Sequence, residues 1–193
     1  MIYPATEKYI ELAKNALLEG QIIVYPTDTL YGFGVDATNS EAIKRLNRLK
    51  GRVQPLSIII DSIKSITNYV KLDHSIKSDV YKLFPGVYTV LLPALSSNLS
   101  PLIQSSSLNV GIRIPNHFFP INLVKLLKRP IVTTSINRHG NESINDVTQV
   151  EIDFPNIDIY EDNNHKKSIG STIIDYSLNP PEIIRLGDGP FPL

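Results

Sequence analysis

The chain has 193 residues, 42% of them hydrophobic and 20% charged, and its 19 basic and 19 acidic side chains leave a formal net charge of zero. This is the composition of a globular protein with one substantial core, and it argues against a dedicated nucleic-acid binder whose whole surface is positive. The absence of cysteine excludes disulfides, thiolate catalysis and cysteine-held zinc or iron.

The opening MIYPATEKYI lacks the charged and then apolar segments of a leader. No apolar run approaches the ~20 residues of a membrane helix. A cytoplasmic protein with a single domain over residues 1–193 and no membrane contact is expected, which makes the Asn-x-Ser triplets at Asn98 and Asn141 chance matches. Residues 6 to 19 set Ile10, Ala13 and Leu17 at helical spacing, with Gly20 as a stop. Gln21 to Tyr25 read as a buried strand that Pro26 ends, and the loop PTDTLYGFG follows with hydroxyls, a carboxylate and two glycines. Ser40 caps a second helix with Ala42, Ile43, Leu46 and Leu49 inward and Gly51 at its end.

LSIII (56 to 60) is a strand, Ser62 caps a short helix through Tyr69, and another helix covers 75 to 83. Pro85 and Gly86 turn the chain into the strand VYTVLL, and NVGIRI is the next, limited by Pro115. HFFPINLVKLLK becomes helical after Pro120, IVTT is a short strand, and STIIDY with PEIIRLG forms a late strand pair. The Ser-rich stretch 94 to 107 and the Asn-rich stretch 138 to 149 read as surface or lid segments. The pattern predicts an α/β fold, an open twisted mixed sheet with flanking helices.

Gly32-x-Gly34-x-x-Ala37 only superficially matches a dinucleotide fingerprint, because its glycines lie well past the strand end and no acid follows at ribose spacing. There is no Walker lysine motif, so a nucleotide would have to be held by side-chain cations. Lys50 and Arg52 in KGR are candidates, and so is Arg113 in VGIRIP. An arginine in an apolar strand needs an anion or acceptors, whether a ligand or an internal salt bridge. Lys44, Arg45 and Arg48 read as a solvated helix face.

VTTSIN (132 to 137) and GSTIID (170 to 175) repeat the opening pattern of a strand ending in small donors, and IIRLG adds Arg185. Together these point to an open cleft at strand ends for an anionic, oxygen-rich ligand. His74, His117, His139 and His165 lie in polar contexts and read as solvated; no pair has metal-ligand spacing and no Ser-His-Asp order stands out. Positioning and charge neutralisation are expected to dominate the chemistry.

Taken in order, PTDTLYGFGVDA, KGR with PLSIII, PGVYTVLLP, VGIRIP, TTSIN and STIIDYS with IIRLG resemble the YrdC-type threonylcarbamoyl-AMP synthases over nearly the whole chain, and look closest to the YciO-like subgroup. The resemblance implies an open twisted sheet with a concave basic cleft. It also implies condensation of L-threonine, bicarbonate and ATP into threonylcarbamoyl-adenylate and pyrophosphate for tRNA modification. On that basis Lys50, Arg52, Ser135 and Asn137 would be catalytic and bind ATP, with Thr133 and Arg185 as further nucleotide contacts. Thr27, Arg113, Ser171 and Thr172 would hold threonine. Magnesium would arrive with ATP and no resident metal is implied; a threonylcarbamoyl transferase complex would act downstream. The alternative is an RNA-binding module of the same fold, for tRNA or double-stranded RNA, without synthase activity.

Overall fold

Successive side chains on a strand point to opposite faces, so each buried run in this chain feeds two cores. The computed structural model describes residues 1–51, 53–138 and 141–190. Its strands are β1 (Ile2–Pro4), β2 (Ile23–Tyr25), β3 (Gly32–Gly34), β4 (Ser57–Ile59), β5 (Tyr88–Pro93), β6 (Asn109–Arg113), β7 (Ile131–Ser135), β8 (Asp158–Glu161), β9 (Thr172–Asp175) and β10 (Glu182–Arg185). They form one ten-stranded sheet in the order β1-β8-β2-β3-β7-β4-β6-β5-β9-β10. Pairing is mixed: β4 runs parallel to β6 and antiparallel to β7, while β2 and β3 form an antiparallel hairpin.

On one face, Ile23, Tyr25, Ile59, Ile131 and Tyr160 are covered by Ala13 and Leu17 of α1 (Ile10–Leu18) and by Phe119 and Leu123 of α4 (Phe118–Leu127). On the other, Val24, Phe33, Ile58 and Val132 meet Ile43 and Leu46 of α2 (Ser40–Lys50), Val80 of α3 (His74–Lys82) and Val150 of α5 (Val147–Asp153). Adjacent residues of one strand thus enter different cores. This is the expected mixed sheet with flanking helices.

Several local expectations change. The cap of α2 is Asn39, not Ser40: its side chain accepts from the amides of Glu41 and Ala42, both at 3.1 Å, while the Ser40 hydroxyl bonds that of Ser100 at 2.7 Å. Helix α4 starts at Phe118, ahead of Pro120, because the N–H groups of a first turn have no intrahelical acceptor for proline to forfeit. The stretch 138 to 149 already contains the start of α5, capped by the Asp146 carboxylate accepting from Thr148 at 2.8 Å. The sequence pattern does not predict the short strands β1, β3 and β8.

β3 contains the two glycines of PTDTLYGFG, Gly32 and Gly34, and neither has positive φ. A Cβ on Gly34 would stand 2.5 Å from the Tyr25 ring, so that glycine makes room for a core side chain rather than for a ligand.

Candidate functional site

The strands that are apolar beneath α1 and α4 continue as polar positions on the same face. Two residues beyond Ile131 comes Thr133, and two further Ser135; Ser57 stands two before Ile59, and Thr27 two after Tyr25. Among the described residues, none that lines this continuation belongs to a helix. A cavity of about 300 Å³ opens there, lined among others by Ser57, Thr89, Arg113, Thr133, Ser135, Ser171 and Arg185. The cleft therefore lies on the sheet face as well as at strand ends, contrary to the expectation of strand ends alone.

Arg113 closes β6 and reaches the loop that joins β2 to β3. Its Nη2 donates to Asp28 Oδ1 at 2.7 Å, to Thr27 Oγ1 at 3.2 Å and to Thr29 Oγ1. The other oxygen of Asp28 accepts from the Asn116 amide at 2.8 Å. Arg113 and Asp28 thus form the internal salt bridge considered from sequence, with side chains only 7% and 10% exposed. Arg113 Nε remains a buried donor with no acceptor among the described residues. Such a group costs ~1–3 kcal/mol.

Arg185, from β10, donates to the Ser171 carbonyl at 2.7 Å through Nη2 and to its hydroxyl at 3.2 Å. No carboxylate lies within ion-pair reach of Arg185 among the described residues. Burial, and then the neighbouring Arg113 cation, push its guanidinium below the usual range, with Asp188 opposing the shift. Two guanidinium groups and a rim of hydroxyls are suited to an anion in the cavity.

Residues 15–187 match the Sua5/YciO/YrdC family, described as Telomere recombination. The chain belongs to that family. It is 31% identical to the threonylcarbamoyl-AMP synthase of Pyrococcus abyssi over 94% of this chain and 54% of the relative. The crystal structure of P. abyssi Sua5 complexed with L-threonine is 30% identical and superposes with a TM-score of 0.85 over 97% of this chain and 56% of that one. E. coli YciO has the same fold, with a TM-score of 0.87 at 22% identity over 96% of this chain and 92% of that one. The chain spans about half the length of the P. abyssi synthase.

In this Sua5/YciO/YrdC member, Lys50 is buried. Its ammonium donates to the carbonyls of Ser135 and Asn137, the latter at 3.2 Å, and to Asn137 Oδ1 at 2.8 Å. The Ser135 hydroxyl donates to the same Oδ1 at 3.1 Å. Lys50, Ser135 and Asn137 are therefore brought together, with Ser135 on the cavity and Lys50 behind it. Arg52 lies outside the described residues.

Thr27 is buried beneath the loop, donating to the Leu30 carbonyl at 2.7 Å and accepting from the Thr29 amide at 3.1 Å. Thr172 does not line the cavity. Its hydroxyl donates to the Gly189 carbonyl at 2.6 Å and accepts from the Gly187 amide at 2.9 Å, because alternation along β9 turns it away.

The hydroxyl-bearing loop PTDTLYGFG does wall the cavity, through Thr29 and Tyr31, whereas sequence reasoning missed Ser57 and Thr89, which also line it. Thr89 bonds the Ser171 hydroxyl at 2.8 Å. The available signal was a polar residue inside the apolar run VYTVLL.

Two histidines depart from the solvated reading. His117 caps α4 by accepting from the Phe119 amide at 3.2 Å, and its Nε2 lies 3.3 Å from Asp162. His165 packs on Tyr31 with ring centres 4.3 Å apart, and burial lowers its pKa. His139 lies outside the described residues.

Proposed function

We propose that this protein is a threonylcarbamoyl-AMP synthase, using L-threonine, bicarbonate and ATP for tRNA modification in the cytoplasm. The observation that carries the reading is the convergence of Arg113, Arg185, Ser135 and Ser171 on one cavity in a chain of this family. Two anionic substrates must be held together there. Arg113 brings its positive charge to the threonine carboxylate beside the Thr27 loop, and Ser171 adds a hydroxyl. Ser135, Asn137 and Thr133 hold the nucleotide, while Lys50, Arg52 and Arg185 bring positive charge to the phosphates.

The threonine amine takes up bicarbonate with loss of water to give a carbamate. A carbamate oxygen then bonds the α-phosphorus as the bond to pyrophosphate breaks. No protein nucleophile is needed. Positioning lowers the barrier, and fixed cations offset the charge that develops on the leaving pyrophosphate. Among the described residues, those lining the cavity include no aspartate or glutamate, which suits magnesium carried on the triphosphate rather than held by protein carboxylates. When bound, it would neutralise phosphate charge.

The RNA-binding alternative is less well supported. Lys44 is paired with Glu41 at 2.8 Å and Arg45 donates to the Gly20 carbonyl, so part of the cationic face of α2 is already engaged. Product transfer to a tRNA-modifying threonylcarbamoyl transferase complex belongs to the same proposal.

The test is incubation with labelled threonine, bicarbonate and magnesium-ATP. A labelled adenylate and stoichiometric pyrophosphate are the expected products. A folded sample that binds tRNA tightly, loses it steeply with salt and forms no adenylate would favour the RNA module.

A further inference from the structure

The nucleotide and amino-acid sides of the cavity are joined by a route through the segment after β7. Asn137, held by Lys50, donates through Nδ2 to the Asn141 carbonyl at 2.9 Å. The Ile144 amide returns to the Ile136 carbonyl at 2.7 Å. The next side chain, Asn145, accepts from the Tyr31 amide at 3.0 Å through Oδ1. Tyr31 ends the loop that contains Thr27, Asp28 and Thr29, the partners of Arg113.

Tyr31 is fixed at its other end as well. Its hydroxyl donates to the Asp162 carbonyl at 3.2 Å and accepts from the Asp162 amide at 2.9 Å. The His165 ring lies against it, and His165 Nδ1 stands 3.5 Å from Asn145 Nδ2. Tyr31 faces two hollows, the main cavity and a polar pocket of about 290 Å³ lined by Asn145, Asp162 and His165. The Asn145 side chain, beside the Ile144–Ile136 backbone bond, therefore ties the strand tip assigned to the nucleotide to the loop assigned to threonine.

We propose that Asn145 is a positioning residue that couples the two halves of the cavity, so that ordering of the Ser135–Asn137 tip by nucleotide sets the Thr27–Tyr31 loop for the amino acid. The proposal rests on the synthase reading for the identity of the two ligands, but the clamp itself can be tested without turnover. Coupling of this kind typically amounts to 5–150-fold in affinity.

The experiment compares the unsubstituted protein with Asn145→Ala and Asn145→Asp, the latter keeping the acceptor for the Tyr31 amide. Calorimetry measures threonine affinity with and without a non-hydrolysable ATP analogue, and hydrogen exchange follows the Tyr31 amide. In the unsubstituted protein the analogue is expected to tighten threonine binding by about fivefold or more. Asn145→Ala should abolish that gain, leave nucleotide affinity within about twofold and unprotect Tyr31, raising KM for threonine more than it lowers kcat. Asn145→Asp should restore most of the gain.

Unchanged coupling in Asn145→Ala, with Tyr31 protection lost, would overturn the proposal and leave the contact merely structural. Absence of coupling in the unsubstituted protein would overturn it equally. Coupling that disappears in Asn145→Ala without adenylate formation in any variant would support the clamp and sink the synthase reading instead.

Discussion

Two parts of one sheet face behave as different materials although the same strands build both. Beneath α1 and α4, Ile59 and Ile131 are fully buried among aliphatic and aromatic neighbours. One pleat further along the same strands stand Ser57 and Thr133, and beyond Thr133 stands Ser135, all facing the cavity. The first part contributes stability through area removed from water; the second forgoes that contribution and keeps hydroxyls where a ligand can meet them. The boundary between structural and functional residues therefore runs across strands, at a period of two, rather than between segments of the chain.

The comparison breaks most visibly at Arg113, where both roles meet. Arg113→Ala leaves Asp28 buried without its cation and should cost ~3–5 kcal/mol in urea unfolding, along with measurable threonine binding by calorimetry.

A pair of changes on β7 separates the roles. Ile131→Thr should cost about 2–3 kcal/mol of stability through lost apolar burial and a hydroxyl placed in the core, with ligand affinity little changed. Ser135→Ala should lower stability by about 1 kcal/mol or less, through the lost bond to Asn137, yet weaken ATP binding about tenfold. If Ser135→Ala unfolds the protein as readily as Ile131→Thr, the division of the face is wrong.

A smaller effect is expected at a cap remote from the cavity. Asn39→Ala should lower stability by about 1 kcal/mol, visible as a shift in denaturant midpoint with unaltered ligand affinity.

The smallest concerns pH. Burial depresses the pKa of His165 in the folded protein, so below the ordinary histidine value the unfolded chain binds the extra proton more readily and stability falls as pH drops. His165→Gln should flatten the stability profile on the acid side of neutrality; an unchanged slope would show that His165 does not carry it.

Much of this architecture was legible in the sequence because local signals agreed with the tertiary outcome. Gly51 ends α2 in a left-handed cap with φ of 67°, as a glycine after a cationic last turn implies. Arg113 announced itself as a cation inside an apolar strand. Short strands leave too little local pattern to read: β1 and β8 are three and four residues long, and β8 is defined by its parallel neighbours β1 and β2 rather than by its own composition.

The ordered motifs and the alternation of apolar and polar residues determined, by themselves, the fold class and five residues that line the cavity: Arg113, Thr133, Ser135, Ser171 and Arg185. The tertiary structure alone decided which way each side chain faces. Thr172 and Ser171 are adjacent in sequence, yet the pleat sends one hydroxyl to Gly187 and Gly189 and the other to the cavity beside Arg185. It also brought Asn145 to Tyr31 across 114 positions. Such a contact depends on how the sheet is ordered, and that order arises from long-range pairing that no local pattern encodes.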